Sequence, residues 1–537
     1  MFWPTSFILL TAAFAVDNVI SSPAQTSFGV QSTKPKKLHG RFLHITDMHP
    51  DSYYTPHTSQ SKACHRKSPK KKKNEASYYG TPYSECDSPF RLTNYTLNFL
   101  KDNWANEVDF VIWTGDNARH DNDRQLPRTP SEINDLNRAV AARMQKIFTN
   151  RGIPVVPSLG NNDVWRPNAI TNEFASIWSS FIPFPYLQVF QRGAYFAVEV
   201  IPDELAVVSL NTMYFYDSNK VVGGCPYKER NDPGNLQFDW LEVQLKMYRS
   251  RGMQYVRYVE LSLRFQDTIL GHLYGHMNVD HFFFMEAADL GIFPDKEDLQ
   301  DGAVSTLGDG GLFETLVGNW GALPKSPKLA DYAVVNVGPS VVPNPYLPTF
   351  RIFSYNVSAA GDLALKKPKK QPKKPSKRKP GHPRGDGGNK TVHCKSEKYR
   401  DTWRCHLDQP WHSDSSSPSR SNQRWTPLGY AQYYIPELER ANKSHTPRFE
   451  LEYLTYPLDS LHPKNASERE FVYPVPLKLL PATLRERGVA KSKYAPYRMR
   501  DLTIPSWIRL ARQVADGRRQ KLQKRFRKYM YVGGKEE

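Results

Sequence analysis

Three stretches of this chain share one plan: a short apolar run, a polar turn of Gly, Asp and Asn, then a helix-forming segment. The clearest is residues 108–113 (VDFVIW), followed by Gly115-Asp116-Asn117. Residues 41–46 (RFLHIT) lead in the same way into Asp47-Met48-His49, and residues 153–159 into Gly160-Asn161-Asn162-Asp163. Apolar runs this short, alternating with helical patterns, predict the strands of an α/β sheet. Ligands gather beyond the carboxyl ends of such strands. An acid placed there with no neighbouring lysine suits a cation better than it suits packing. A single Gly-Asp after a strand says little, and the constraint lies in its recurrence.

The rest of the chain fills in around these units. A helix is predicted over about 92–104. Another begins at Thr129-Pro130-Ser131-Glu132, which reads as an N-cap, a first-turn proline and a capping-box acid. Ile133, Leu136, Val140, Met144 and Ile147 mark its apolar face. Residues 51–90 read as a long loop with a basic patch at 66–73. Further strands are expected at 195–201, 206–211, 332–337 and 350–356. Residues 235–249 read as a helix with Leu236, Trp240, Val243 and Met247 along one face. The run 366–379 (KKPKKQPKKPSKRK) has no apolar residue and repels itself, so it cannot fold alone. Structure is expected to resume at 425–436, with a strand at 449–456 and a closing helix at 505–512. The division that follows is a leader (1–24), a catalytic domain (38–356) and a basic low-complexity linker (357–423). A C-terminal segment (424–512) packs back on that domain, and a basic tail (513–537) ends the chain.

At 537 residues the chain exceeds a single ordinary core, and its net charge of +19 points to a polyanionic partner. Nucleic acid, anionic lipid and polyphosphate all qualify. The Lys/Pro run has no interleaved aromatics, which argues against specific nucleic-acid recognition by stacking. Residues 7–16 (FILLTAAFAV) read as the core of a signal peptide or signal anchor, although spanning a bilayer takes about 20 residues. Five sequons, at Asn94, Asn356, Asn389, Asn442 and Asn465, agree with entry into the secretory pathway. The five cysteines form no CxxC pair, so a zinc ribbon is not expected; disulfides are plausible, with one cysteine left over.

Taken in order, Asp47-Met48-His49, Gly115-Asp116-Asn117, Gly160-Asn161-Asn162-Asp163 and Gly275-His276-Met277-Asn278 resemble the calcineurin-like metallophosphoesterases. Their pattern is DxH, GD, GNH(D/E), a lone His, then GHxH. Longer stretches are similar to the fungal endopolyphosphatase family: 116–120 (DNARH), 159–163, 271–284 (GHLYGHMNVDHFFF), 336–345 (NVGPSVVPNP) and 504–512 (IPSWIRLAR). The resemblance covers about 43–355 and 425–512. It implies an α/β sandwich of two mixed sheets flanked by helices, with the low-complexity segment inserted. It also implies cleavage of internal phosphoanhydride bonds of inorganic polyphosphate by a water that two divalent ions activate. The ions would be Mn, Zn, Co, Fe or Mg, because mixed O and N donors do not choose among them.

By the same resemblance, Asp116 bridges the two ions, Asp47 and His49 bind the first, and Asn161 and His276 bind the second. Asn278, in place of the last His of GHxH, ligates through its carbonyl. His120 is held near the substrate. Asn162 stands where the superfamily has a His that serves the leaving group; a phosphate chain leaves readily and needs little protonation. His272 and His281 receive no role. The implied location is the vacuole, with the catalytic part lumenal on a single-pass type II anchor.

One departure matters. The family carries a Gly-His-Val-Pro-Pro stretch, followed by a Cys, before the GHxH region. Here Arg251-Gly252-Met253-Gln254 runs directly into Tyr255-Val256-Arg257-Tyr258, and the lone His of the second metal is lost with the stretch. Cys225 would then be the orphan cysteine. Two other readings follow: a sphingomyelinase-like phosphodiesterase, or a catalytically impaired polyanion-binding paralogue.

Overall fold

The structure, a computed structural model, describes residues 37–164, 171–215, 219, 222, 229–251, 259–287, 311–358, 412–462, 474–489 and 491–534. Half of the main sheet follows from the recurring units. β1 (Arg41–Ile45) is buried throughout and lies parallel to β4 (Phe110–Trp113), which lies parallel to β5 (Val155–Pro157). Parallel neighbours need a crossover, usually a helix. The crossovers contain α1 (Phe90–Asn103), which buries Leu92, Leu97 and Leu100, and α2 (Pro130–Ile147), which buries Val140, Met144 and Ile147. The Thr129 hydroxyl accepts the Glu132 N–H at 3.2 Å, as the capping pattern predicts.

On its other edge β1 pairs antiparallel with β11 (Thr349–Tyr355), followed by β12 (Pro427–Tyr434) and β13 (Glu450–Leu454). The six-stranded order is β13-β12-β11-β1-β4-β5. A second sheet has β10 (Tyr332–Val337) at its centre, parallel to β8 (His272–Tyr274) and antiparallel to β9 (His281–Glu286). Both sheets are mixed and helices flank them, which is the α/β sandwich expected. Two small ladders complete the description: β2 (Pro50–Asp51) with β3 (Ser88–Pro89), and β6 (Phe196–Ile201) with β7 (Leu205–Ser209).

A buried polar network joins the sheets. Arg351 on β11 pairs with Asp280 and donates to the Val337 carbonyl (2.9 Å) and to Gln432 Oε1 (2.8 Å). Gln432 Nε2 in turn donates to Glu452 Oε2 at 2.8 Å, and the Tyr453 hydroxyl donates to Asp280. Burial, helped by Asp280 and only partly offset by the Gln432 hydrogen bond, pushes Glu452 up from 4.5 to about 8. The folded state therefore holds a proton that the unfolded chain releases. This group's contribution to stability is complete below about pH 4.5 and is lost as pH rises towards 8. Glu452→Gln keeps the Gln432 contact without the charge. Its melting temperature is expected to match the parent's at the acid end and to exceed it increasingly up to pH 8; a constant difference across that range would refute the shift.

Several expectations are corrected. The helix Pro233–Ser250 forms, but its buried face is rotated by about one residue from the expected one: Trp240 and Met247 still pack, partly buried, against the core. It buries Gln237, Leu241, Gln244, Leu245 and Tyr248, while Leu236 and Val243 are 46% and 61% exposed. The reason is hydrogen bonding. Gln237 accepts from the Asn211 N–H (2.8 Å), and Gln244 accepts from the Tyr186 hydroxyl (3.0 Å). Polar side chains with partners are turned in, which an apolar count does not register. The linker also ends earlier than 423. His412 N–H donates to the Arg264 carbonyl (2.6 Å) and Ser419 Oγ to the Gln266 carbonyl (2.6 Å), so this stretch lies against 264–266. The basic tail contains the helix Gln520–Met530, which buries Phe526, Tyr529 and Met530. Phe526 meets Trp320 in an aromatic cluster with Phe282 and Trp507. Apolar residues at i, i+3 and i+4 anchor a helix whose remaining surface is basic.

The membrane expectation is also corrected: among the described residues no helix is long and apolar enough to cross a membrane. The leader at 7–16 lies outside those residues. The single-pass anchor and the vacuolar-membrane placement are therefore withdrawn. Of the cysteines, Cys64 and Cys86 form a disulfide across the 51–90 loop, and Cys225, Cys394 and Cys405 lie outside the described residues. Of the sequons, Asn94 is half-buried on α1, Asn356 donates to Asn422 (2.8 Å), Asn442 is exposed, and Asn389 and Asn465 lie outside.

Candidate metal centre

The carboxyl ends of β1, β4 and β5 meet at one rim of the main sheet. There the backbone bends sharply: Asp47 (φ 50°), His49 (φ 37°) and Asp116 (φ 55°) all take left-handed conformations. Such conformations are costly for these residues and persist only where the surroundings fix them. The fixing contacts are visible. Asp47 N–H donates to the Gly115 carbonyl (3.0 Å), and the Met48 and His49 N–H groups donate to the Asp116 carbonyl (2.9 and 3.2 Å). Gly160 has no room for a Cβ, which would overlap the Asp116 carboxylate. Glycine lets the third turn close on the second.

Asp163 closes the arrangement from below. Its carboxylate accepts the N–H groups of Asp116 (2.8 Å), Asn117 (2.6 Å) and Gly160 (3.0 Å). Asn162 approaches Asp116 with both its backbone N–H (2.8 Å) and its side-chain amide (3.4 Å). His276, with φ 73°, donates its backbone N–H to Asp47 Oδ2 at 2.9 Å.

Asp47, His49 and Asp116 each offer one ligand atom, all within 4.8 Å of one another. His49, Asp87 and His120 form a second such group, again within 4.8 Å, and His49 belongs to both. These two clusters of largely buried His and Asp side chains can hold divalent cations. The ring of His49 is oriented for it. Its Nδ1 lies 2.7 Å from the Ala118 carbonyl, and its Nε2 is buried with no hydrogen-bond partner. A ring that donates from one nitrogen to a carbonyl leaves the other as a ligand lone pair. That nitrogen faces Asp47 Oδ1 (3.6 Å) and Asp116 Oδ2 (3.8 Å).

The electrostatics fit a cation as well. Burial, with Asp47 adding to it, raises the Asp116 pKa against the opposing pull of His49. Burial and the Asp116 charge push Asp163 up to about 6. Burial disfavours a charge on His49, yet the Asp47 and Asp116 carboxylates outweigh it and push its pKa up to about 9. Buried carboxylates this close, with one imidazole to share among them, lack positive charge. The donor set and the orphaned Nε2 both fit divalent ions.

The remaining candidates are distributed unevenly. His120 stacks on His49 with ring centroids 4.0 Å apart. Asp87 holds it twice, accepting its backbone N–H (2.6 Å) and lying 2.7 Å from its Nδ1. Asn278 is buried; its Nδ2 donates to the Asn344 carbonyl (2.7 Å), and its Oδ1 has no partner. Asn161 is half-buried and opens the short turn Asn161–Asp163. His276 is exposed and belongs to neither cluster; it reaches the centre through its backbone N–H. His272 and His281 are buried in strands, where burial pushes them down to about 3 and about 4. Neither belongs to a cluster. The position after Gln254 lies outside the described residues.

Sequence reasoning missed two residues. Asp87 follows Cys86 at the end of a long loop, with no motif around it. Asp163 stood inside the third turn but was given no role, because its partners are backbone N–H groups.

A family model described as calcineurin-like phosphoesterase matches residues 40–277. Among curated proteins, the endopolyphosphatase of Cryptococcus neoformans is 39% identical over 624 aligned positions, covering 90% of this chain and 90% of its own length. That of Neurospora crassa is 30% identical, covering 92% of this chain and 80% of its own length. That of Saccharomyces cerevisiae is 42% identical over a shorter span, 47% of this chain and 42% of its own.

Proposed function

This chain belongs to the endopolyphosphatase family of calcineurin-like phosphoesterases, and from that premise we propose that it hydrolyses internal phosphoanhydride bonds of inorganic polyphosphate. The observation that carries the reading is the convergence of Asp47, His49 and Asp116 at one strand-end rim, with the His49 Nε2 buried and unpartnered. Divalent ions bound there supply Lewis-acid polarisation of phosphoryl oxygens and acidify water.

The chain's own residues divide the rest of the work. Asp47 and His49 would hold one side of the centre, and Asp116, as the resemblance implies, would be shared between two ions. Asn161, His276 and Asn278 are assigned to the second ion; the buried, partnerless Oδ1 of Asn278 supports that role. Asn162 presents a neutral amide beside Asp116, a hydrogen-bond donor suited to a phosphate leaving group. Asp87 occupies one nitrogen of His120, which leaves Nε2 to face substrate. The segments 38–356 and 424–512 are read as one catalytic body, supported by the pairing of β11 with β12.

The test is electrophoresis of long-chain polyphosphate after incubation with the full-length protein and each of Mg, Mn, Co and Zn. The expected result is a ladder of intermediate lengths that chelation abolishes. No shortening with any metal would overturn the proposal, and release of orthophosphate alone would remove the internal cleavage.

A further inference from the structure

The cations around this rim are not equivalent. Arg119 is neutralised by Glu132 through two contacts (2.6 and 3.2 Å), and Arg66 by Asp123. Arg128 has no ion-pair partner among the described residues; its guanidinium is fixed by two neutral carbonyls instead. Its Nη1 donates to the carbonyl of Arg119 (2.9 Å) and to that of Asn162 (2.8 Å). Both acceptors adjoin the centre, since Arg119 precedes His120 and Asn162 touches Asp116. The Nε of Arg128 is buried and has no hydrogen-bond partner. A buried donor left unmade carries a cost that a ligand removes when it binds. The planar guanidinium fork also matches the oxygens of a phosphoryl group.

We propose that Arg128 forms a phosphate subsite beside the metal centre, where it takes an oxygen of a phosphoryl unit flanking the scissile anhydride. The inference rests on the reading of the substrate as a phosphate chain. Burial lowers the pKa of this guanidinium; Asp121, with Asp116 and Asp87, opposes that at longer range than an ion pair, and Arg119 reinforces it. A cation in that condition gains from an anionic ligand. The competing role is purely structural, a brace between the 116–128 loop and the 160–163 turn.

Calorimetric titration of the full-length, Mg-loaded protein with tripolyphosphate separates the two. Arg128→Gln is expected to weaken binding about 10- to 100-fold. Arg128→Lys, which keeps the charge but not the fork, should fall between. Arg138→Gln removes the same charge from an exposed site on α2, where it is paired with Asp135, and should bind as the parent does. In parallel hydrolysis assays the Arg128 variants should raise KM much more than they lower kcat. Parent-like binding by both Arg128 variants, or a fall in kcat at unchanged KM, would leave only the brace and overturn the subsite. If Arg128→Gln does not fold, Arg128→Lys alone decides by the same readouts. A parent that binds tripolyphosphate through Arg128 but never hydrolyses polyphosphate refutes the proposed function and leaves the subsite standing.

Discussion

Asp116→Asn is expected to reduce polyphosphate hydrolysis by about a thousandfold or more, because a shared carboxylate contributes several kcal/mol to transition-state charge stabilisation. The substitution is nearly isosteric, and Asn162 N–H, now 2.8 Å from Asp116 Oδ1, still finds an acceptor. The loss should therefore be chemical rather than structural. A second readout distinguishes the two. In the metal-free protein the Asp116 charge is buried against Asp47, with Asp163 behind it. Removing that charge should leave the metal-free melting temperature unchanged or raise it, while the stabilisation that added divalent metal gives the parent should largely vanish. A variant that keeps a tenth or more of the activity, by the same scale of argument, would remove Asp116 from the centre of the mechanism.

Restoring the stretch after Gln254 should have the second largest effect. The resemblance implies a lone His on the second ion within a stretch that is missing where Gln254 runs into Tyr255. Loss of even an outer partner of a metal typically costs about 10- to 100-fold in affinity or activity. Inserting the Gly-His-Val-Pro-Pro segment is therefore expected to raise metal-dependent hydrolysis by about that factor. Tripolyphosphate binding should change far less, because the subsite proposed at Arg128 does not depend on the ligands of the second ion. Replacing the segment's His by Ala should cancel the gain in rate. If the chain as written already binds two ions and works at the restored rate, the missing His has a substitute. Asp87 and His120, which form a group with His49, would then be tested as that substitute before the core histidines His272 and His281.

What the sequence determined by itself is the set of strand-end turns and the α/β order that carries them. Asp47, His49 and Asp116 were legible as a cluster because each sits in a short apolar-run-then-turn pattern that local chemistry enforces. The start of α2 was legible for the same reason, since Thr129 and Glu132 meet within one turn. Only the tertiary structure decided the rest. Asp87 reaches His120 across 33 residues, and the His276 N–H reaches Asp47 across 229. No local pattern encodes partners at such separations. The same holds for Arg128, whose guanidinium, among the described residues, donates to the carbonyls of Arg119 and Asn162 rather than to a carboxylate. The helix Pro233–Ser250 shows the limit most plainly. Its period was readable, but its buried face depended on hydrogen bonds from Asn211 and Tyr186 that turn glutamines inward and leave Leu236 and Val243 in solvent. Periodicity reports where apolar residues fall along an element; which face is buried depends on the partners that the fold brings to it.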